Sequence, residues 1–193
     1  MRQIGFIGMT AAAGLTAAVS IGAQSRATAP VYGYDVVNVY PHDREAFTQG
    51  LLFRDGVLYE STGLNGRSSL RKVELESGKV LQRISVDSRY FAEGLTDWGS
   101  RLVKLTWNTN VGFVYDIASF KRLQTFSYTG EGWGLAQDGK QLIMSDGTST
   151  LRFLDPQTFA VTRRVEVTDG GVPVRDLNEL EFIDGQVYAN VWL

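Results

Sequence analysis

Four stretches of this sequence open alike, and the distance between them restricts what the chain can fold into. They are Phe47-Thr48-Gln49-Gly50-Leu51, Phe91-Ala92-Glu93-Gly94-Leu95, Glu131-Gly132-Trp133-Gly134-Leu135 and Asp176-Leu177-Asn178-Glu179-Leu180. Their third residues fall at 49, 93, 133 and 178, so the repeat measures 44, 40 and 45 residues. Self-similarity at that period is the length of one four-stranded propeller blade. Inside the first unit, segments 51–53, 57–61, 69–75 and 80–86 read as strands, separated by Asp55-Gly56, Asn65-Gly66 and Ser77-Gly78. Asp-Gly and Asn-Gly are strong hairpin signals. The second unit supplies 102–107, 111–116 and 121–127. The third turns at Asp138-Gly139 and supplies 141–145, 150–155 and 160–167. The fourth turns at Asp184-Gly185 and supplies 186–192. No stretch between them keeps a helical period. The expectation is an all-β fold of the β-propeller type.

A strand over residues 34–40 precedes the first unit, and the fourth unit stops after its second strand. A strand ending at Leu193 would leave an open sheet edge. The expectation is therefore a propeller domain over 31–193 truncated within its fourth repeat, with 34–40 as the outer strand of a last blade that is not present. The alternative is a partner chain that completes the ring.

Composition narrows the function. Nineteen Lys and Arg against 21 Asp and Glu leave a formal net charge of −2, with no basic excess for nucleic acid. With no cysteine, disulfides, thiolate nucleophiles and cysteine-ligated metals are excluded. A single His, His42, argues against a Ser-His-Asp arrangement or a histidine-rich zinc cluster. At the N terminus, Arg2 is followed by an apolar run rich in small residues, 4–21, with small residues suited to cleavage between Gly22 and Ala27. Residues 1–27 are read as a signal peptide and spacer. The protein is expected to be exported, periplasmic or extracellular, with no membrane association after cleavage.

The repeat also places side chains. The first strand of every blade lines the central channel, and the end of the antiparallel second strand returns to the same mouth. In that register Gly63, Trp107, Gly147 and Trp192 end the second strands. One mouth should thus gather Gln49, Glu93, Trp133 and Asn178 with Trp107 and Trp192 beside them, and Phe47 and Phe91 two residues upstream of Gln49 and Glu93. A carboxyl group in an aromatic pocket is desolvated and its pKa rises, which suits Glu93 to proton transfer near neutrality. Gln49 and Asn178 each donate and accept, which suits holding an amide or a developing oxyanion. Taken singly, each residue has a plainer structural role: a core aromatic, or a Glu bonded to backbone amides. The constant frame around a varying third position, Gln, Glu, Trp and Asn, favours an asymmetric site.

The strings FTQGLLF, LYESTGLNGRSSLRKVEL, FAEGLT, KLTW, GEGWGL, DLNELEF and YANVW, running from about Tyr32 to Leu193, closely resemble the glutaminyl-peptide cyclotransferases of the plant and bacterial type. The resemblance implies a five-bladed β-propeller, no metal and no cofactor. It implies conversion of the N-terminal Gln of peptides or proteins to pyroglutamate with release of ammonia. It matches Glu93 to the catalytic acid/base, Gln49 and Asn178 to its carboxamide partners, and Phe47, Phe91, Trp107, Trp133 and Trp192 to the aromatic substrate pocket. It also implies a functional Lys in a last blade beyond Leu193, so activity is expected of the parent protein. Two other readings stay open: a non-catalytic propeller that binds peptides or partners, and a metal-dependent hydrolase of the lactonase type, for which Glu93, Asn178 and Glu179 would serve as ligands.

Overall fold

The computed structural model describes residues 29–192; the expected signal segment, 1–27, lies outside them. Every element assigned among those residues is a β-strand. The first sheet is built from β1 (Thr48–Arg54), β2 (Val57–Thr62), β3 (Ser69–Glu74) and β4 (Val80–Ser85), in that order and antiparallel. The second repeats the pattern with β5 (Ala92–Trp98), β6 (Arg101–Thr106), β7 (Val111–Asp116) and β8 (Arg122–Ser127). The third does so with β9 (Leu135–Gln137), β10 (Leu142–Met144), β11 (Thr150–Leu154) and β12 (Val161–Glu166). A two-residue ribbon, β13 (Thr168–Asp169) and β14 (Val172–Pro173), leads to a last hairpin of β15 (Leu177–Ile183) and β16 (Gln186–Val191).

Local chemistry sets the hairpins. At Asp55-Gly56 and Asp184-Gly185 both residues have positive φ, 52° and 80° in the first, 50° and 82° in the second. That is the type I′ turn, whose twist matches the strands it joins.

The sheets stack face to face, and alternation along each strand feeds the interfaces. Leu102 faces the first sheet with Tyr59, Leu70, Leu95 and Phe113, while Val103 and Leu105 face the third with Leu135, Leu142 and Met144. Phe126 stacks on Phe159 across that second interface, centroids 3.8 Å apart and nearly parallel. A third cluster, with Ile143, Phe153, Leu177 and Leu180, joins the third sheet to the last hairpin. The outermost strands β4, β8 and β12 are mostly exposed.

The innermost strands β1, β5, β9 and β15 lie side by side around one axis, and the Gly-Leu step explains how. A Cβ on Gly50 would meet the backbone of Gly94 and Leu95. One on Gly94 would meet Trp133 and Leu135, and one on Gly134 would meet Asn178 and Leu180. Only glycine admits so close a backbone approach.

Two features differ from the sequence reading. Residues 34–40 form no strand and are exposed throughout, with Tyr34 at 91% and Val37 at 87%. Among the described residues no strand pairs with them, and an unpaired extended segment gains no ladder hydrogen bonds. The β13–β14 ribbon is absent from the sequence reading because two-residue strands carry no periodic signal.

Candidate active site

The strand registers explain where the polar side chains point. Pairing of β1 with β2 jumps between Thr48 and Gly50, stepping over Gln49. Pairing of β5 with β6 jumps between Ala92 and Leu95, stepping over Glu93, and pairing of β15 with β16 jumps between Leu177 and Leu180, stepping over Asn178. Each polar residue therefore sits in a β-bulge, which re-aims a side chain away from the regular alternation. In the third repeat β9 begins only at Leu135, and Trp133 precedes the ladder.

These irregularities bring the expected residues together. Phe47, Gln49, Phe91, Glu93, Trp107, Trp133, Asn178 and Trp192 line one cavity of about 310 Å³. Its wall is an aromatic chain: Phe47 meets Phe91 edge-on at 6.1 Å, and Phe91 meets Trp107 at 5.8 Å. Gly63 and Gly147 keep room for that wall, since a Cβ would meet the Phe91 ring at the first and the Trp133 indole at the second. Trp107 and Trp192 keep a half-exposed face, 39% and 56%, whereas Glu93 and Asn178 are 7% and 8% exposed. Glu93 and Asn178 thus lie at the bottom, and Trp107 and Trp192 at the rim.

Main-chain bonds fix that floor. Ser61 of β2 donates its hydroxyl to the Glu93 carbonyl. Ser145, ten residues after Leu135 as Ser61 is ten after Leu51, donates to the Asn178 carbonyl at 2.6 Å and accepts from the Gly134 N–H at 2.7 Å. The intervening repeat carries Leu105 at that place, and there the Gly94 N–H donates directly to the Trp133 carbonyl at 2.7 Å. Each entrance is held by its neighbour through one of two hydrogen-bonding solutions.

The electrostatics follow from burial. The Glu93 pKa is raised to about 8, chiefly because the carboxyl is withdrawn from water and secondarily because the Glu131 carboxylate is near. Glu179 occupies the place that glycine holds in the other three repeats. Its Oε1 accepts from the Leu51 N–H of β1 at 3.2 Å, and burial pushes its pKa well above the ordinary carboxyl range. Among the described residues no group of three His, Cys, Asp or Glu side chains is arranged to hold a metal ion.

Glu131, Ser61 and Ser145 are absent from the sequence-derived site, and Glu179 enters it only as a ligand in the metal-dependent reading. The string GEGWGL puts Glu131 two residues before Trp133, so strand alternation alone could have placed it beside that indole. The glycine-to-Glu exchange at 179 was an equally readable break in the repeat.

Known proteins resemble this chain in sequence and in structure. The family model for glutamine cyclotransferase matches residues 9–193. A glutaminyl-peptide cyclotransferase of Arabidopsis thaliana is 52% identical over 160 residues, covering 82% of this chain and 50% of the relative. The crystal structure of Myxococcus xanthus glutaminyl cyclase superposes with a TM-score of 0.74 at 41% identity, covering 79% of this chain and 65% of that one. The Neurospora crassa Pan2 WD40 domain, at 16% identity and a TM-score of 0.52 over 62% of this chain and 36% of that one, shares the fold alone. The chain spans about half the length of its curated relative. By sequence and by structure, this chain belongs to the glutamine cyclotransferase family.

Proposed function

We propose that the protein of which this chain forms part is a glutaminyl-peptide cyclotransferase, an acyltransferase that closes the N-terminal Gln of peptides or proteins to pyroglutamate. The observation that carries this reading is one buried carboxyl, Glu93, set with the two carboxamides Gln49 and Asn178 in a single aromatic cavity. The named activity of the Arabidopsis and Myxococcus relatives supports it.

The substrate's neutral α-amine attacks the carbon of its own γ-carboxamide. A C–N bond forms, the C–NH2 bond breaks, and ammonia departs. Both reacting groups belong to one residue, so holding the side chain folded back is a large part of the task. Phe47, Phe91, Trp107, Trp133 and Trp192 grip its methylenes and keep water from the carbonyl. Glu93 takes the proton that the amine loses and returns it to the leaving nitrogen. A pKa of about 8 lets one carboxyl serve in both directions near neutral pH. Gln49 and Asn178 orient the carboxamide and stabilise the oxyanion. The chemistry requires no metal or cofactor.

For the whole molecule we propose five blades, with residues 34–40 as the outer strand of the last. The exposed apolar side chains of Tyr34, Val36, Val37 and Val39 support this reading. We further propose export, on the Arg2 and apolar 4–21 pattern.

The deciding experiment incubates the protein with a peptide beginning Gln-Ala, with and without chelator, and follows pyroglutamate by mass spectrometry. The reading expects ammonia loss that chelator leaves unchanged. Activity abolished by chelator and restored by calcium would replace it with the lactonase-type hydrolase.

A further inference from the structure

Two of the cavity's indoles share one anchor. Trp107 Nε1–H and Trp133 Nε1–H both donate to the same oxygen, Oε2 of Glu131, each at 2.7 Å. Trp107 directly follows β6 of the second sheet and Trp133 lies just before β9 of the third, so this carboxylate ties the rim across a sheet boundary. Hydrogen bonds to an ionised acceptor are about twice as strong as neutral ones.

Glu131 is itself held from behind. Arg152, 5% exposed, donates to the Thr129 carbonyl at 2.6 Å and to the Glu131 carbonyl at 3.0 Å, and pairs with Asp146 at 3.2 Å. The next residue, Gly132, donates its N–H to the Trp107 carbonyl at 2.8 Å. The loop is therefore fixed by bonds on both sides of the carboxylate.

From this geometry we propose that Glu131 is a positioning residue of the cyclisation site: it locks Trp107 and Trp133 into the substrate wall and places a fixed negative charge beside Glu93. The proposal rests on the cyclotransferase reading for its chemistry and on the two indole bonds for its geometry. The charge acts in one direction. Other groups in electrostatic contact with Glu93 are Glu179 of β15 and the Tyr128 hydroxyl after β8, with the Arg152–Asp146 pair behind. Glu131 is the one whose charge raises Glu93. It keeps Glu93 protonated to higher pH than burial alone would.

Two variants separate the clamp from the charge. Glu131→Gln keeps an acceptor oxygen for both indoles and removes the charge; Glu131→Ala removes both. The readouts are the indole N–H resonances of Trp107 and Trp133 and the carbon-detected titration of the Glu93 carboxyl. In Glu131→Gln both indole signals should stay downfield while the Glu93 midpoint falls. In Glu131→Ala both should move upfield together, with KM for the Gln-Ala peptide rising roughly tenfold or more. Unmoved indole signals in Glu131→Ala, or an unmoved Glu93 midpoint in Glu131→Gln, overturns the proposal. Absence of pyroglutamate from the unsubstituted protein would overturn the cyclotransferase reading instead, and the resonance readouts would still decide the role of Glu131.

Discussion

At the scale of single residues, the molecule spends stability to keep Glu93 where it is. Its carboxyl titrates at about 8 in the fold and near 4.5 in an open chain. Between those values the folded state holds a proton that the unfolded state has released, so stability falls as pH rises through that window and is fully retained below it. Glu93→Gln removes the penalty while keeping the shape. It should raise the unfolding free energy by about 1–3 kcal/mol at pH 8, with the difference vanishing below pH 4.5. Thermal melts at the two pH values check this; equal melting temperatures at pH 8 would mean that the carboxyl is solvated. His42, the single histidine, lies within 2.9 Å of buried Glu60, which also accepts from the Thr48 hydroxyl. No local pattern announces that contact, because it joins residues 18 apart through the tertiary packing.

At the scale of elements, the repeat was legible and the bulges were not. The Gly-Leu steps at 50, 94 and 134 reveal the innermost strands because glycine is required for their close approach. A period of 40 to 45 residues then locates Gln49, Glu93 and Asn178 at equivalent entrances. Regular alternation predicts a side for each residue, but the register jumps at these three positions depend on how the second strand pairs, which spacing does not encode. The cross-sheet bonds from Ser61 and Ser145 escaped for the same reason. The close approach gives a sharp test. Gly94→Ala puts a methyl group against the Trp133 carbonyl and Leu135 nitrogen, which are backbone and cannot swing aside. A loss of about 3 kcal/mol or more is expected by denaturant unfolding. An Ala side chain tolerated without loss would mean that the inner strands stand further apart.

At the scale of the whole molecule, sheet-to-sheet packing carries one costly feature. Lys104 of β6 is wholly buried between the first two sheets, where its ammonium donates to the Ser69 carbonyl at 2.7 Å. Burial lowers its pKa to about 7, partly opposed by the charge of Glu60. From pH 7 to 10.5 the unfolded chain holds a proton that the fold has shed, so this lysine makes stability rise with pH across that range. Lys104→Met fills similar volume without the amine and should flatten the rise, read as Tm against pH. A slope unchanged by the substitution would place the amine in water. The exposed segment 34–40 is the converse case, an extended stretch with no sheet to join among the described residues. Its strand-like pattern was readable in the sequence, but pairing requires a neighbour as well as a propensity.

The measurement that bears most directly on the account is the rate of pyroglutamate formation by Glu93→Gln against pH, beside the unsubstituted protein. A carboxyl that carries the proton from amine to leaving nitrogen predicts a loss of at least about 100-fold, together with disappearance of the inflection near pH 8. A Glu93→Gln protein that turns over within a few-fold of the original, with the inflection intact, would contradict it.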